Sequence, residues 1–106
     1  MGKAETKIED TVSAYARSMN FIANKYTTPG KRGAPDRIYI GYEIVFWIEY
    51  KTPSGVLSSD QKREIKDIRD HGGTVFVVDD IVKGKRIIDK MKQVAVSIMA
   101  NNLRNL

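Results

Sequence analysis

The sequence contains no cysteine and a single histidine, His71. Disulfide frameworks, thiolate zinc sites and cysteine nucleophiles are excluded, and so is a multi-histidine metal centre. Any metal must rest mainly on oxygen ligands, which points to a hard divalent cation such as Mg²⁺ or Mn²⁺. No apolar run approaches the roughly 18 residues that span a membrane. The N-terminal stretch has no apolar signal-peptide core, and no membrane partner is expected. There is no internal repeat, low-complexity tract or linker, so residues 1–106 read as a single domain.

Ile, Val, Leu and Phe make up 27 of the 106 residues, enough for a modest packed core. The 18 Lys and Arg outnumber the 13 Asp and Glu, for a net charge of +5, which favours an anionic partner such as nucleic acid.

Apolar residues at Ile8, Val12, Tyr15 and Met19 predict a helix over about residues 5–26. The Pro- and Gly-bearing segment 27–35 reads as a loop. Residues 37–41 and 44–51 read as two strands turning at Gly41-Tyr42-Glu43. After the loop at Thr52-Pro53-Ser54-Gly55, Ser58 and Gln61 form a capping-box pattern that opens a helix to about Asp70. Residues 74–79 suit a buried central strand. A last helix is expected over about 87–103, with Ile88, Met91, Val94, Ala95, Ile98 and Met99 inward. The order α-β-β-α-β-α implies an α/β fold, a small mixed sheet flanked by helices.

Chemistry concentrates at Asp36 and at Glu49-Tyr50-Lys51. Residues i and i+2 of a strand share a face, so Glu49 and Lys51 project together. Asp36 begins the partner strand, so the hairpin returns it to the same edge. Two converging carboxylates suit a hard divalent cation, which polarises a phosphodiester and lowers the pKa of bound water. A neighbouring lysine can orient or deprotonate that water and neutralise phosphate charge. The plainer alternative is a cross-strand salt bridge, but Phe46, Trp47 and Ile48 make this an apolar strand, where unpaired charges are costly.

Lys31-Arg32-Gly33-Ala34-Pro35-Asp36-Arg37, then Ile48-Glu49-Tyr50-Lys51-Thr52-Pro53-Ser54-Gly55, then Leu57-Ser58-Ser59-Asp60-Gln61 resembles the VRR-NUC branch of the PD-(D/E)xK nucleases. The resemblance runs from about Glu5 to Asp79. It implies a restriction-endonuclease-like core and metal-dependent, structure-selective DNA cleavage, with four-way (Holliday) junctions favoured. Stand-alone members are short, dimeric and of phage or bacterial origin, which implies a homodimer in the cytoplasm of a bacterial or phage-infected cell. By the same resemblance Asp36 and Glu49 are metal ligands, with the Tyr50 backbone carbonyl as a further candidate, and Lys51 is the catalytic lysine. Gln61 joins the site, a role compatible with helix capping. An acid from the first helix also contributes. Glu5 lies beside the apolar stripe and is preferred over Glu9, which a helical wheel turns toward solvent.

Lys31, Arg32 and Arg37 flank Asp36 and are expected to grip phosphates, and Lys62 and Arg63 extend that track or form a solvated face. His71 is expected to decorate a helix C-terminus, and Asp79-Asp80 to cap the last helix. The competing class is a non-catalytic nucleic-acid-binding module on a nuclease-like fold.

Overall fold

Helix α1 spans Lys3–Ser18 in the computed structural model, which describes residues 2–105. Its inner face carries Ile8, Glu9, Val12, Ser13 and Ala16. The helix ends eight residues earlier than the periodicity suggests. Asn20 takes a left-handed φ of 69°, which asparagine tolerates, and turns the chain back. Residues Ile22–Lys25 then form strand β1, a segment that the periodicity assigns to the helix. Phe21 and Ala23 are buried while Ile22 and Asn24 are exposed, a period of two that pairing with a neighbouring strand enforces. The order of elements is therefore α-β-β-β-α-β-α.

Strands β2 (Arg37–Gly41) and β3 (Ile44–Tyr50) form a hairpin closed by Tyr42 and Glu43, both at positive φ. Two consecutive left-handed residues give the twist of a tight hairpin turn, here without glycine. The register pairs Arg37 with Ile48 and Ile40 with Val45. Helix α2 (Ser59–Asp70) crosses over to β4 (Val75–Val78), which runs parallel to β3. The sheet order is β1-β2-β3-β4, so β4 is an edge strand and not the central one expected. It is apolar because α2 and α3 both pack on it, covering its two faces.

Helix α3 (Ile81–Arg104) starts six residues before its expected position, with the Asp80 carboxylate accepting from the Lys83 N–H at 2.7 Å. α1 and α3 cover the sheet face that presents Tyr39, Phe46, Ile48 and Tyr50, and with Ile8, Val12 and Ile88 they form the core. A Cβ at Gly84 would lie 2.4 Å from Val12 Cγ2, so glycine permits the close approach of the two helices. Of the inward residues expected on α3, Ile88 and Ala95 are buried and Met91 half-buried, but Val94, Ile98 and Met99 are exposed. The 24-residue helix outruns the 16-residue α1, and its last turns, with Met99 and Leu103, border a shallow pocket beside Glu43 of the hairpin turn.

α2 lies on the opposite sheet face, where Ile68 and the Trp47 ring close around Gly73. Ile22, Ile40 and Val45, aligned by register on that face, remain exposed. Among the described residues, no helix is long and apolar enough to cross a membrane.

Candidate active site

The hairpin register brings Asp36, one residue before β2, opposite Glu49 near the end of β3. An Asp36 carboxylate oxygen accepts the Tyr50 backbone N–H at 2.7 Å, which fixes the acid against the strand carrying Glu49 and Lys51. Burial pushes the Asp36 carboxyl above its usual range. The Tyr50 N–H opposes that shift, and the Glu9 charge reinforces it.

Glu49 is 2% exposed. Burial first, and then the Asp36 charge, push its carboxyl up to about 8, while Lys51 opposes the shift. Its Oε2 accepts from Gln61 Nε2 at 3.0 Å and lies 3.8 Å from Lys51 Nζ. Its Oε1 is buried with no hydrogen-bond partner. A buried anionic oxygen without a donor is costly, and a cation between the carboxylates would relieve both that deficit and the mutual repulsion.

Gln61 reaches Glu49 because Ser58 caps α2. The Ser58 Oγ accepts the Gln61 N–H at 3.1 Å, and Gln61 Oε1 accepts the Ser58 N–H at 2.9 Å. The amide thus caps with its oxygen and contacts the acid with its nitrogen, so capping leaves its nitrogen on Glu49. Gly33 sets the other wall. A Cβ there would lie 2.3 Å from the Asp60 carbonyl oxygen, and its φ is +91°. The loop leading to Asp36 therefore packs directly on the first turn of α2.

Of the first-helix acids, Glu5 is half-buried beside the apolar stripe as the helical wheel places it, and Glu9 departs from its placement. Glu9 is 1% exposed, not turned to solvent. Its Oε2 lies 2.5 Å from both Arg37 Nε and Lys25 Nζ, which ties α1 to β2 and β1. The wheel missed this because the apolar residues mark only part of a wider inner face, completed by an ion pair that pattern reading cannot detect. Glu5 is half-buried, is in no ion pair among the described residues, and its charge helps to raise Glu49. Of the two, Glu5 is the acid free to face the site.

Arg37, expected to grip phosphate, is buried and committed. It bonds Glu9 and the Ala23 carbonyl and lies 3.7 Å from Asp10. On the same face, the Tyr50 hydroxyl lies 2.5 Å from that of Tyr39, and Ser13 continues the chain at 3.1 Å, so the Tyr50 ring belongs to the core face.

Comparison with known proteins bears on this arrangement through the fold. No protein-family model and no curated protein matches the sequence. A solved structure titled "VRR_NUC domain" superposes with a TM-score of 0.77 at 21% identity, over 83% of this chain and 97% of that one. The fold is that of a VRR_NUC domain.

Within this VRR_NUC fold the basic residues are unequally available. Lys31 lies 3.2 Å from the buried Glu64, and Arg63 bonds Asp60 at 2.9 Å. Arg32 and Lys62 are exposed and in no ion pair among the described residues. His71 ends α2, with Nδ1 2.7 Å from the Asp67 carbonyl. The described residues hold no group of three or more His, Asp or Glu placed to cage a metal, and the hairpin register sets Asp36 opposite Glu49.

Proposed function

We propose that this chain is a metal-dependent endodeoxyribonuclease, with branched DNA, four-way junctions above all, as its preferred substrate. The observation that carries the reading is the convergence of Asp36, Glu49, Lys51 and Gln61 around a buried, unpartnered carboxylate oxygen. Two carboxylates without a third acid suit Mg²⁺ or Mn²⁺, since Mg²⁺ commonly binds through one or two carboxylates, waters and substrate phosphate. Asp36 and Glu49 would hold the ion, with the Tyr50 carbonyl as a further ligand and Glu5 at the margin. The ion supplies Lewis acidity at the phosphodiester and a more acidic water.

The chain's own groups do the rest. The Tyr50 N–H holds Asp36 in place, and Gln61 orients Glu49. Lys51, 15% exposed at its side chain, presents its ammonium beside Glu49, where it neutralises phosphate charge and positions the attacking water. Arg32 and Lys62 supply phosphate contacts beside the cut, with Lys31 and Arg63 joining from their ion pairs.

Paired incisions in a symmetric junction require two sites, which a homodimer supplies. Val94 and Ile98, exposed one turn apart on one side of α3, support such an interface. A cytoplasmic location accords with a DNA substrate.

The test is cleavage of a labelled four-way junction against matched linear duplex in Mg²⁺, Mn²⁺ and EDTA, with Lys51→Ala beside the native chain. Junction cutting that needs metal and Lys51 is expected. Cutting of all substrates alike removes the junction preference. Binding without cutting leaves a nucleic-acid-binding module.

A further inference from the structure

The net charge of this protein is not spread over its surface. α3 holds Lys83, Lys85, Arg86, Lys90, Lys92 and Arg104 against the single acid Asp89, a balance of +5. The whole chain also carries +5, so the remaining residues sum to zero. α2, where a basic track was anticipated, is itself neutral, with Lys62, Arg63, Lys66 and Arg69 balanced by Asp60, Glu64, Asp67 and Asp70.

The cations of α3 divide into two sets. Lys85 and Lys92 turn to the flank of the helix, 5.3 Å and 5.4 Å from the ring centres of Tyr15 and Tyr42. Asp89 lies on that flank too, its carboxylate 2.5 Å from the Tyr15 hydroxyl. Lys83, Arg86 and Lys90, spaced three and four apart, form one ridge on the solvent side. All three are exposed, and among the described residues none is in an ion pair. The acid nearest Lys83 in sequence and outside α3, Asp80, is turned into the helix cap, and Asp89 beside Lys90 is held by the Tyr15 hydroxyl.

The ridge begins near the candidate active site. β3 and β4 are parallel and end at the same edge, where the Lys51 N–H donates to the Val78 carbonyl at 2.9 Å. Lys83 is five residues beyond Val78, at most about 18 Å away along an extended chain. From Lys83 to Lys90 the helix rises about 10 Å, a length matching about three nucleotides at ~3.4 Å per nucleotide.

We propose that Lys83, Arg86 and Lys90 form a second nucleic-acid contact, a phosphate-binding ridge on α3 that holds DNA flanking the site. It rests on the nucleic-acid partner of the reading above, but not on cleavage. Three unpaired cations on a rigid helix release counterions from a phosphate backbone without reading its sequence.

The test measures binding of a fluorescent DNA duplex in EDTA across a salt series, so that no cutting is needed. The native chain is compared with Lys83→Gln/Arg86→Gln/Lys90→Gln, with Arg86→Gln alone, and with Lys66→Gln as a single-charge control off the ridge. Circular dichroism checks that each variant is folded. The triple variant should lower the slope of log K against log salt by about 2 to 3, near 0.9 per cation, and weaken binding by up to roughly 10²-fold near 0.1 M salt. Arg86→Gln should lower the slope by about 0.9, and Lys66→Gln should leave it in place. An unchanged slope in the ridge variants, or an equal per-charge drop in the control, overturns the proposal. So does loss of binding to phosphatidylserine vesicles with DNA binding intact, which would assign the ridge to a membrane surface. Ridge-dependent binding without any cleavage would sink the nuclease reading alone.

Discussion

The protonation of Glu49 makes a prediction about stability and metal affinity together. Its carboxyl is raised from 4.5 to about 8 by burial and by Asp36. Between those values the folded state keeps a proton that the unfolded chain has released. The contribution of Glu49 to folding stability should therefore be fully present below about pH 4.5, fall as pH rises, and level off above about 8. The slope for one proton is about 1.4 kcal/mol per pH unit, and the upward shift of Asp36 acts in the same direction. A divalent cation needs the ionised acid, so its apparent affinity should rise about tenfold per pH unit through the same window. Urea unfolding in EDTA from pH 5 to 9, for the native chain and for Glu49→Gln, isolates the contribution. The native-minus-variant stability should fall steadily to about pH 8 and then flatten. Mn²⁺ titrations by calorimetry should show the opposite trend in affinity for the native chain and weak binding for the variant. A native-minus-variant difference that stays constant across this range would refute the argument, since it would mean that Glu49 titrates alike in both states.

The close packing of the Asp36 loop on α2 predicts that Gly33→Ala is costly. A left-handed backbone penalises alanine by about 1–2 kcal/mol, and a Cβ 2.3 Å from the Asp60 carbonyl oxygen must also push the loop away. A lower Tm and a loss of cleavage on the order of 10²-fold are expected, the size attached to a misplacement of about 1 Å; native behaviour in both would show that the loop is not held there. The overhang of α3 predicts that Ile98→Glu leaves folding intact, because the side chain is 49% exposed, but shifts a dimer to monomer in sedimentation. A sedimentation profile unaltered by the substitution would remove α3 from any interface.

Much of the site could be read from local signals. Strand alternation placed Glu49 and Lys51 on one side, the short hairpin returned Asp36 to them, and the Ser58-Gln61 pattern opened α2 where it is found. The charge of α3 was also present in the residue order, but only a sum taken element by element exposes it. Strand β1 was not legible, because Phe21 to Lys25 continue an acceptable helical pattern and only pairing with β2 makes them extended.

The sequence by itself determined the α/β class, the lack of thiolate and multi-histidine ligands, and the convergence of Asp36 with Glu49 and Lys51. These follow from composition and from spacings of a few residues. Tertiary structure alone decided that Glu9 and Arg37 neutralise each other in the interior, that Glu5 stays half-buried outside any ion pair among the described residues, and that β4 lies at the sheet edge. It also decided which apolar residues of α3 stay uncovered. Each depends on partners distant in the chain, and burial, ion pairing and charge repulsion are properties of the neighbours a residue meets, not of the residue alone.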